Sequence, residues 1–419
     1  MENNIVVGLD IGTTKIAVVV GREDEKGKIE ILGYSSTESL GVKRGLVTNI
    51  KQTVDSINEA IEKATENSGV HIEDVYVGIA GQYIKSILHR STKIKDKAEG
   101  AEITKQDIED FTEKERNIAV DPGEMIISVI PQEYIIDGEP GIKNPVGMIG
   151  TTIDTNFHII TAQIAAAENI RKCVNGAGLN IKYILLEPIA SADAVLVEEE
   201  KEAGVALVDI GGGTTDIAIF HDGILRHTAV IPFGGDIITE DIKEGCKILK
   251  KYAEDLKIKF GSAISLSGKD EDSMVSIPGI KGRQPKEISI KNLSSIIQAR
   301  MDEILKYVYF NIQLSGYEKK LIAGIVLTGG GSLLKDIQQL TQYRTGMDTR
   351  IGYPNEYLSS NTPKELNSPV FSTAIGLVKI GIELSKKENQ NNDNKKQPKK
   401  KGKIYDLFSK LSDKLTSEP

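Results

Sequence analysis

Residues 204–220 read GVALVDIGGGTTDIAIF, and this stretch decides the fold. Val205 to Val208 form an apolar run that reads as a buried strand. Asp209 follows, then Gly211, Gly212 and Gly213, then Thr214, Thr215 and Asp216. A second apolar run, Ile217 to Phe220, leaves at once, so the stretch predicts a β-hairpin. A tight turn does not need three consecutive glycines. Without Cβ atoms, its backbone N–H groups stand open to an anion at close range. The hydroxyls of Thr214 and Thr215 add donors. Asp209 sits at a strand end, where a carboxylate can hold a hydrated Mg²⁺.

The pattern occurs twice. Residues 5–19 read IVVGLDIGTTKIAVV. Laid over the first stretch, Asp10 falls on Asp209 and Gly12 on Gly211, and Thr13-Thr14 matches Thr214-Thr215 after a gap. Two such hairpins half a chain apart predict two domains of similar core, each presenting a phosphate-gripping turn to a shared cleft. Lys15 can reach a phosphate as a mobile point charge. A third glycine cluster, Gly329-Gly330-Gly331, follows the apolar run Ile325–Leu327 and precedes Ser332 and a helix. Such a strand–glycine–helix junction can take a base or ribose against bare backbone.

LDIGTTK, VDIGGGTTDIAI and VLTGGGSLL resemble the two phosphate motifs and the adenosine motif of the actin, sugar-kinase and heat-shock-70 ATPases. IRKCVNGAGLNI, LLEPIASADAVL, AEDLKIKFGSA and VIPQEYIIDG narrow the resemblance to the FtsA family of bacterial actin-like cell-division proteins, over roughly residues 5–382. It implies an α/β, bilobal actin-like ATPase fold built from duplicated ribonuclease-H-like domains, with ATP and Mg²⁺ as cofactors. It further implies a subdomain 1C that serves self-association and contacts with other division proteins. Glu187 falls where related ATPases position the attacking water; a helix-start carboxylate is the alternative. Asp10 and Asp209 would hold the metal through water. Glu254 and Lys257 match a helix that touches ribose and base, although a solvated pair three residues apart looks the same. Arg300 matches a position that contacts the acidic C-terminal peptide of FtsZ, the tubulin-like division polymer.

The chain has 419 residues, enough for two or three domains with real cores. A net charge of −8 argues against a nucleic-acid partner. No apolar run is long enough to span a bilayer, and MENNIVVGL has no signal-peptide character. Cys173 and Cys246 lack metal spacing and are expected as reduced, buried thiols.

Along the chain, the reading assigns subdomain 1A to residues 1–81, 162–204 and 370–384, and the inserted small α+β subdomain 1C to 82–161. It assigns 2A to 205–240 and 306–369, and 2B to 241–305. Ile50–Ser68 has helical apolar spacing and stops at Gly69. Thr104 opens a charged helix. Gly234, Gly235 and Asp236 precede another helix and suit a phosphate or a metal-bound water.

Residues 385–402 are lysine-rich and nearly free of apolar side chains, so a disordered linker is expected. Residues 403–419 follow. On a helical wheel Ile404, Leu407, Phe408, Leu411 and Leu415 share one stripe, flanked by Lys403, Lys410 and Lys414. This C-terminal amphipathic helix is too short to span a bilayer and suits an interfacial anchor on anionic lipid. A partner-binding helix is the alternative.

The resemblance thus implies an ATP-binding division protein, with weak ATPase activity at most, that self-assembles and tethers FtsZ at the division site. It would sit peripherally on the cytoplasmic face of the cell membrane. A sugar kinase would need a catalytic Asp motif in the first lobe that is missing, and a chaperone would need a substrate-binding domain after the ATPase. A pilus-assembly adaptor of the same superfamily is the nearest alternative.

Overall fold

The computed structural model describes residues 5–95, 102–265, 273–279 and 284–393. The amphipathic stripe from Ile404 to Leu415 lies outside the described residues.

The first lobe opens with β1 (Val6–Ile11), β2 (Lys15–Glu23) and β3 (Ile29–Glu38). A short hairpin of β4 (Val42–Lys43) and β5 (Leu46–Val47), then α1 (Ile50–Ser68) and β6 (Asp74–Ile79), come next. The insertion supplies β7 (Lys85–Ile94), α2 (Lys105–Glu115), β8 (Glu124–Ile136), β9 (Glu139–Ile142) and β10 (Thr152–Gln163). The chain returns through α3 (Ile164–Gly176) and β11 (Asn180–Leu186), and α4 (Glu187–Val195) crosses to the second lobe. There α5 (Glu198–Ala203), β12 (Val205–Ile210), β13 (Thr215–His221) and β14 (Ile224–Ile231) lead into α6 (Gly235–Cys246) and α7 (Lys250–Phe260). A hairpin of β15 (Met274–Ile277) and β16 (Lys286–Ser289) precedes α8 (Ile290–Leu314), β17 (Ile325–Thr328), α9 (Ile337–Thr345) and β18 (Thr349–Ile351). Finally α10 (Ser372–Asp393) recrosses to the first lobe.

The two main sheets repeat one topology. The first runs β11-β6-β1-β2-β3 and the second β18-β17-β12-β13-β14. In each, the hairpin strands pair antiparallel and the remaining strands pair parallel. Every residue of β1 and β12 is buried, as expected for strands covered on both faces. The faces of β12 alternate accordingly. Val205 and Leu207 join a core with α4 and α10, whereas Ala206, Val208 and Ile210 pack with α6 and α8. The α4–α10 layer also takes Val6, Ala17 and Val19 from the first sheet, so one core spans both lobes. Gly376 lets the two crossing helices meet, since a Cβ there would strike the Ala190 carbonyl.

Local rules hold at α1. Asn49 accepts the Gln52 N–H at its start, and Gly69 ends it at φ 67°. Ile57, Ala60 and Ala64 of α1 are fully buried. The inserted sheet, β7-β10-β8-β9, closes over the edge strand β14: Gln132 donates to the Leu225 carbonyl at 2.9 Å and Arg226 pairs with Glu133 at 2.7 Å.

Some boundaries move. The expected divisions at 240/241 and 305/306 fall inside α6 and α8. Helix α10 continues to Asp393, past the expected start of the linker at 385. Lys, Glu and Gln are good helix formers, and a chain leaving a packed helix propagates at little cost. Lys386 also pairs with Glu23, and the Tyr76 and Ser385 hydroxyls meet at 3.1 Å. The β4–β5 hairpin turns at Arg44 and Gly45, both at positive φ.

Candidate functional site

The two hairpins face each other across a cleft between the lobes. Strand geometry sets what each offers. Asp10 ends β1 opposite Ala17, and Asp209 ends β12 opposite Asp216. Side chains alternate along a strand, so Thr214 and Asp216 face the cleft while Thr215 faces away. Thr215 is therefore corrected as a ligand donor: it is fully buried and its hydroxyl donates to the Phe233 carbonyl at 3.0 Å.

Asp10, Gly12, Thr13, Thr14 and Lys15 line one wall, and Asp209 with Gly211–Thr214 lines the other. The walls touch at the turns. A Cβ on Gly212 would lie 2.6 Å from the Thr14 methyl carbon, and one on Gly213 would enter the Thr13 hydroxyl and come within 2.9 Å of Arg44 Cα. The Gly45 N–H donates to Thr13 Oγ1 at 3.0 Å, so the β4–β5 hairpin braces the first turn. Gly329 and Gly330 complete the lining. Gly329 needs its positive φ of 77°, and any side chain there would strike Asp209.

Other expected residues hold this frame from behind. The Gly235 and Asp236 N–H groups donate to the Gly211 and Gly212 carbonyls, each at 2.8 Å. Gly234 has no room for a Cβ beneath that turn. Gly331 packs on Ile210, and Ser332 donates to the Gly329 carbonyl at 2.7 Å. Lys257 reaches the Gly235 carbonyl at 2.9 Å and Glu254 at 2.8 Å, and Glu254 also receives the Thr239 hydroxyl. Glu254 and Lys257 thus form a polar cluster on α6 and α7 beside the turn. Arg300 lies elsewhere, on α8, forked onto Asp241 at 2.5 and 3.0 Å and paired with Glu303.

Charge in the cleft is unbalanced. Asp10, Glu187, Asp209 and Asp216 all line it, with Lys15 the cation of the lining. Lys15 sits 3.2 Å from Asp10 and over the Phe371 ring. Burial pushes Asp209 up to about 6, with Asp10 adding to the shift. Burial and the Asp209 charge push Asp216 up to about 8. Glu187 rises well above the usual range through burial and its neighbours Asp10, Asp216 and Asp209. Asp216 Oδ2 accepts from Thr214 at 2.9 Å, while Oδ1 is buried without a partner among the described residues.

The sequence reading did not include Asp216 in the site, although it lies in the quoted stretch. The alternation that removes Thr215 brings Asp216 in. It also missed Ser191 and Thr373, whose hydroxyls reach Asp209 from the crossing helices. No local motif marks them, because tertiary crossing alone brings them there.

A family profile described as "Cell division protein FtsA" matches residues 206–376, and one described as "SHS2 domain inserted in FTSA" matches residues 81–161. The chain is 39% identical to the cell division protein FtsA of Pseudomonas aeruginosa, covering 91% of this chain and 90% of that protein. It is 35% identical to FtsA of Escherichia coli K12, covering 91% of each. Among solved structures, the type IV pilus biogenesis complex PilM–PilN matches with a TM-score of 0.65 at 16% identity, covering 90% of this chain and 98% of that one. MreB5 of Spiroplasma citri bound to ADP matches with a TM-score of 0.55 at 16% identity, covering 93% and 100%. The structural matches show the bilobal actin-like fold, and the sequence matches reach further: the chain belongs to the FtsA family of cell division proteins.

Proposed function

We propose that the chain binds ATP with Mg²⁺ between its lobes, assembles with copies of itself, and tethers FtsZ to the cytoplasmic face of the membrane at the division site. The observation that carries this reading is the pair of glycine hairpins, with Asp10 and Asp209 at equivalent strand ends on opposite walls of one cleft. The open amides around Gly12 and Gly211–Gly213 suit phosphate oxygens, with hydroxyls from Thr13, Thr14 and Thr214 beside them. Lys15 adds a positive charge at the same depth.

The residues fit a hydrated divalent cation. Three buried carboxylates, Asp10, Asp209 and Asp216, and the half-buried Glu187 share one lysine, and among the described residues Asp216 Oδ1 lacks a partner. Among the described residues, no three acidic, histidine or cysteine side chains converge as a direct ligand set. Asp10 and Asp209 would therefore hold Mg²⁺ through its water shell, which Mg²⁺ retains readily. The ion would supply charge for the β- and γ-phosphates. Glu187, at the start of α4, would orient a water. Burial and its neighbours Asp10, Asp216 and Asp209 hold its carboxyl well above the usual range.

The tether is proposed from sequence. The apolar stripe of residues 403–416 would enter the interface, with lysines adding about 1 kcal/mol each near anionic lipid. Each tail binds modestly, and self-assembly makes further attachments intramolecular. The acidic FtsZ peptide would dock near Arg300 on α8, where it must compete with Asp241 for the guanidinium.

Co-pelleting of the full chain with anionic liposomes, ATP·Mg²⁺ and FtsZ tests this reading. The parent is expected to carry FtsZ into the pellet, and Phe408→Glu to leave both in solution. Phe408→Glu pelleting like the parent would remove the anchor and leave residues 403–416 as a partner-binding helix.

A further inference from the structure

Asp209 belongs to the second lobe, yet its carboxylate is held by the helices that join the lobes. Ser191 of α4 donates to Asp209 Oδ2 at 2.6 Å. Thr373 of α10 lies 3.0 Å from the Ser191 hydroxyl and 3.5 Å from the same carboxylate oxygen. A hydroxyl has one proton, and that of Ser191 is committed to the carboxylate. In the Ser191–Thr373 pair, Thr373 is therefore the donor, and the bonds run Thr373 to Ser191 to Asp209.

The preceding residue repeats the device. The Thr328 hydroxyl, at the end of β17, donates to the Gly352 carbonyl at 3.2 Å, so Ser372 donates to Thr328 at 2.7 Å. Ser191, Ser372 and Thr328 are fully buried, and Thr373 is nearly so while lining the cleft. The first turn of α10 is thus fixed by consecutive hydroxyls to the two strand ends, β12 and β17, that floor the cleft.

We propose that Ser191 and Thr373 are positioning residues: they orient the Asp209 carboxylate toward the cation's water shell and pass its occupancy to the crossing helices. This rests on the reading of the cleft as an ATP·Mg²⁺ site. One oxygen of Asp209 is held by Ser191 of α4, itself held by Thr373 of α10, so a cation-driven shift of the carboxylate must move both helices or break the chain. Hydrogen bonds to a charged group inside a buried network are the strong ones, and their effects are not additive.

The test is equilibrium binding of a fluorescent ATP analogue to the full chain, with Mg²⁺ and with EDTA, alongside thermal melts. The parent is expected to gain affinity from Mg²⁺. Ser191→Ala should lose that gain by on the order of tenfold or more, with its affinity in EDTA unchanged. Thr373→Val should lose less, Thr373→Ser should restore the parent value, and the double variant should match Ser191→Ala, because Thr373 acts through Ser191. A purely structural role would lower affinity equally with and without Mg²⁺, track the loss in melting temperature, and overturn the proposal. Ser191→Ala and Thr373→Val keeping the full Mg²⁺ gain would also overturn it. A parent that gains nothing from Mg²⁺ would overturn the functional reading and this inference together.

Discussion

The two hairpins share a topology and register but contribute different chemistry. The first turn supplies side chains: Thr13, Thr14 and Lys15, with Lys15 compensating Asp10 at 3.2 Å. The second supplies room. Its three glycines let the first turn approach, and among the described residues its inner acid, Asp216, has no ion pair and one oxygen without a partner. A duplicated frame can therefore divide labour, one copy holding charge and hydroxyls and the other bare backbone. Four residues close each turn, so it is the missing side chains of the second that give the first somewhere to fit.

The largest effect should come from removing that room. Gly213→Val would drive a side chain into Thr13 and against the Arg44 backbone, so the lobes must separate. Nucleotide binding should vanish and the melting temperature should fall by several degrees, as expected for about 1–3 kcal/mol of overpacking. A parent-like melt in a calorimeter would show that the turns are not in contact.

Removing the charge of the first turn should cost less. Lys15→Met keeps much of the stem's packing over Phe371 but leaves Asp10 without its cation. ATP affinity should drop by about ten- to a hundredfold, the value of a charge-assisted contact, with the fold intact. Titration with an ATP analogue measures it, and unchanged affinity would remove Lys15 from the site.

A third effect concerns pH. Burial keeps protons on Asp209 and Asp216 that the unfolded chain releases near pH 4. Their folded values are raised, so the nucleotide-free protein should lose stability as pH rises from about 4 through the values near 6 and 8. Asp216→Asn should flatten the upper part of that decline, making the variant more stable than the parent at pH 9 and similar to it at pH 4. Melting curves that decline in parallel for the two proteins would contradict the assignment.

Much of this frame is legible in the sequence because it is local. Apolar runs, turn glycines and strand-end acids lie within a few residues of one another, and the duplication could be read by laying one stretch over the other. Helix α1 was readable to its Gly69 stop for the same reason. What sequence missed is set by tertiary packing or by orientation. Ser191 and Thr373 meet Asp209 only because α4 and α10 cross. Thr215 and Asp216 differ by one step of strand alternation, which a motif reading treats as a single patch. The linker boundary moved because composition reports solvation, whereas a helix already nucleated by packing carries polar residues onward to Asp393.

The central claim is that nucleotide sits between the hairpins, and Gly212→Val tests it most directly. There the three atoms nearest a Cβ all belong to the Thr14 side chain, which can shift aside, so the fold should survive while the cradle is filled. Calorimetric titration of the full chain with ATP·Mg²⁺ should give one site per chain for the parent and no measurable binding for Gly212→Val, with matching circular dichroism. Stoichiometric binding of undiminished affinity by the folded Gly212→Val protein would contradict the account.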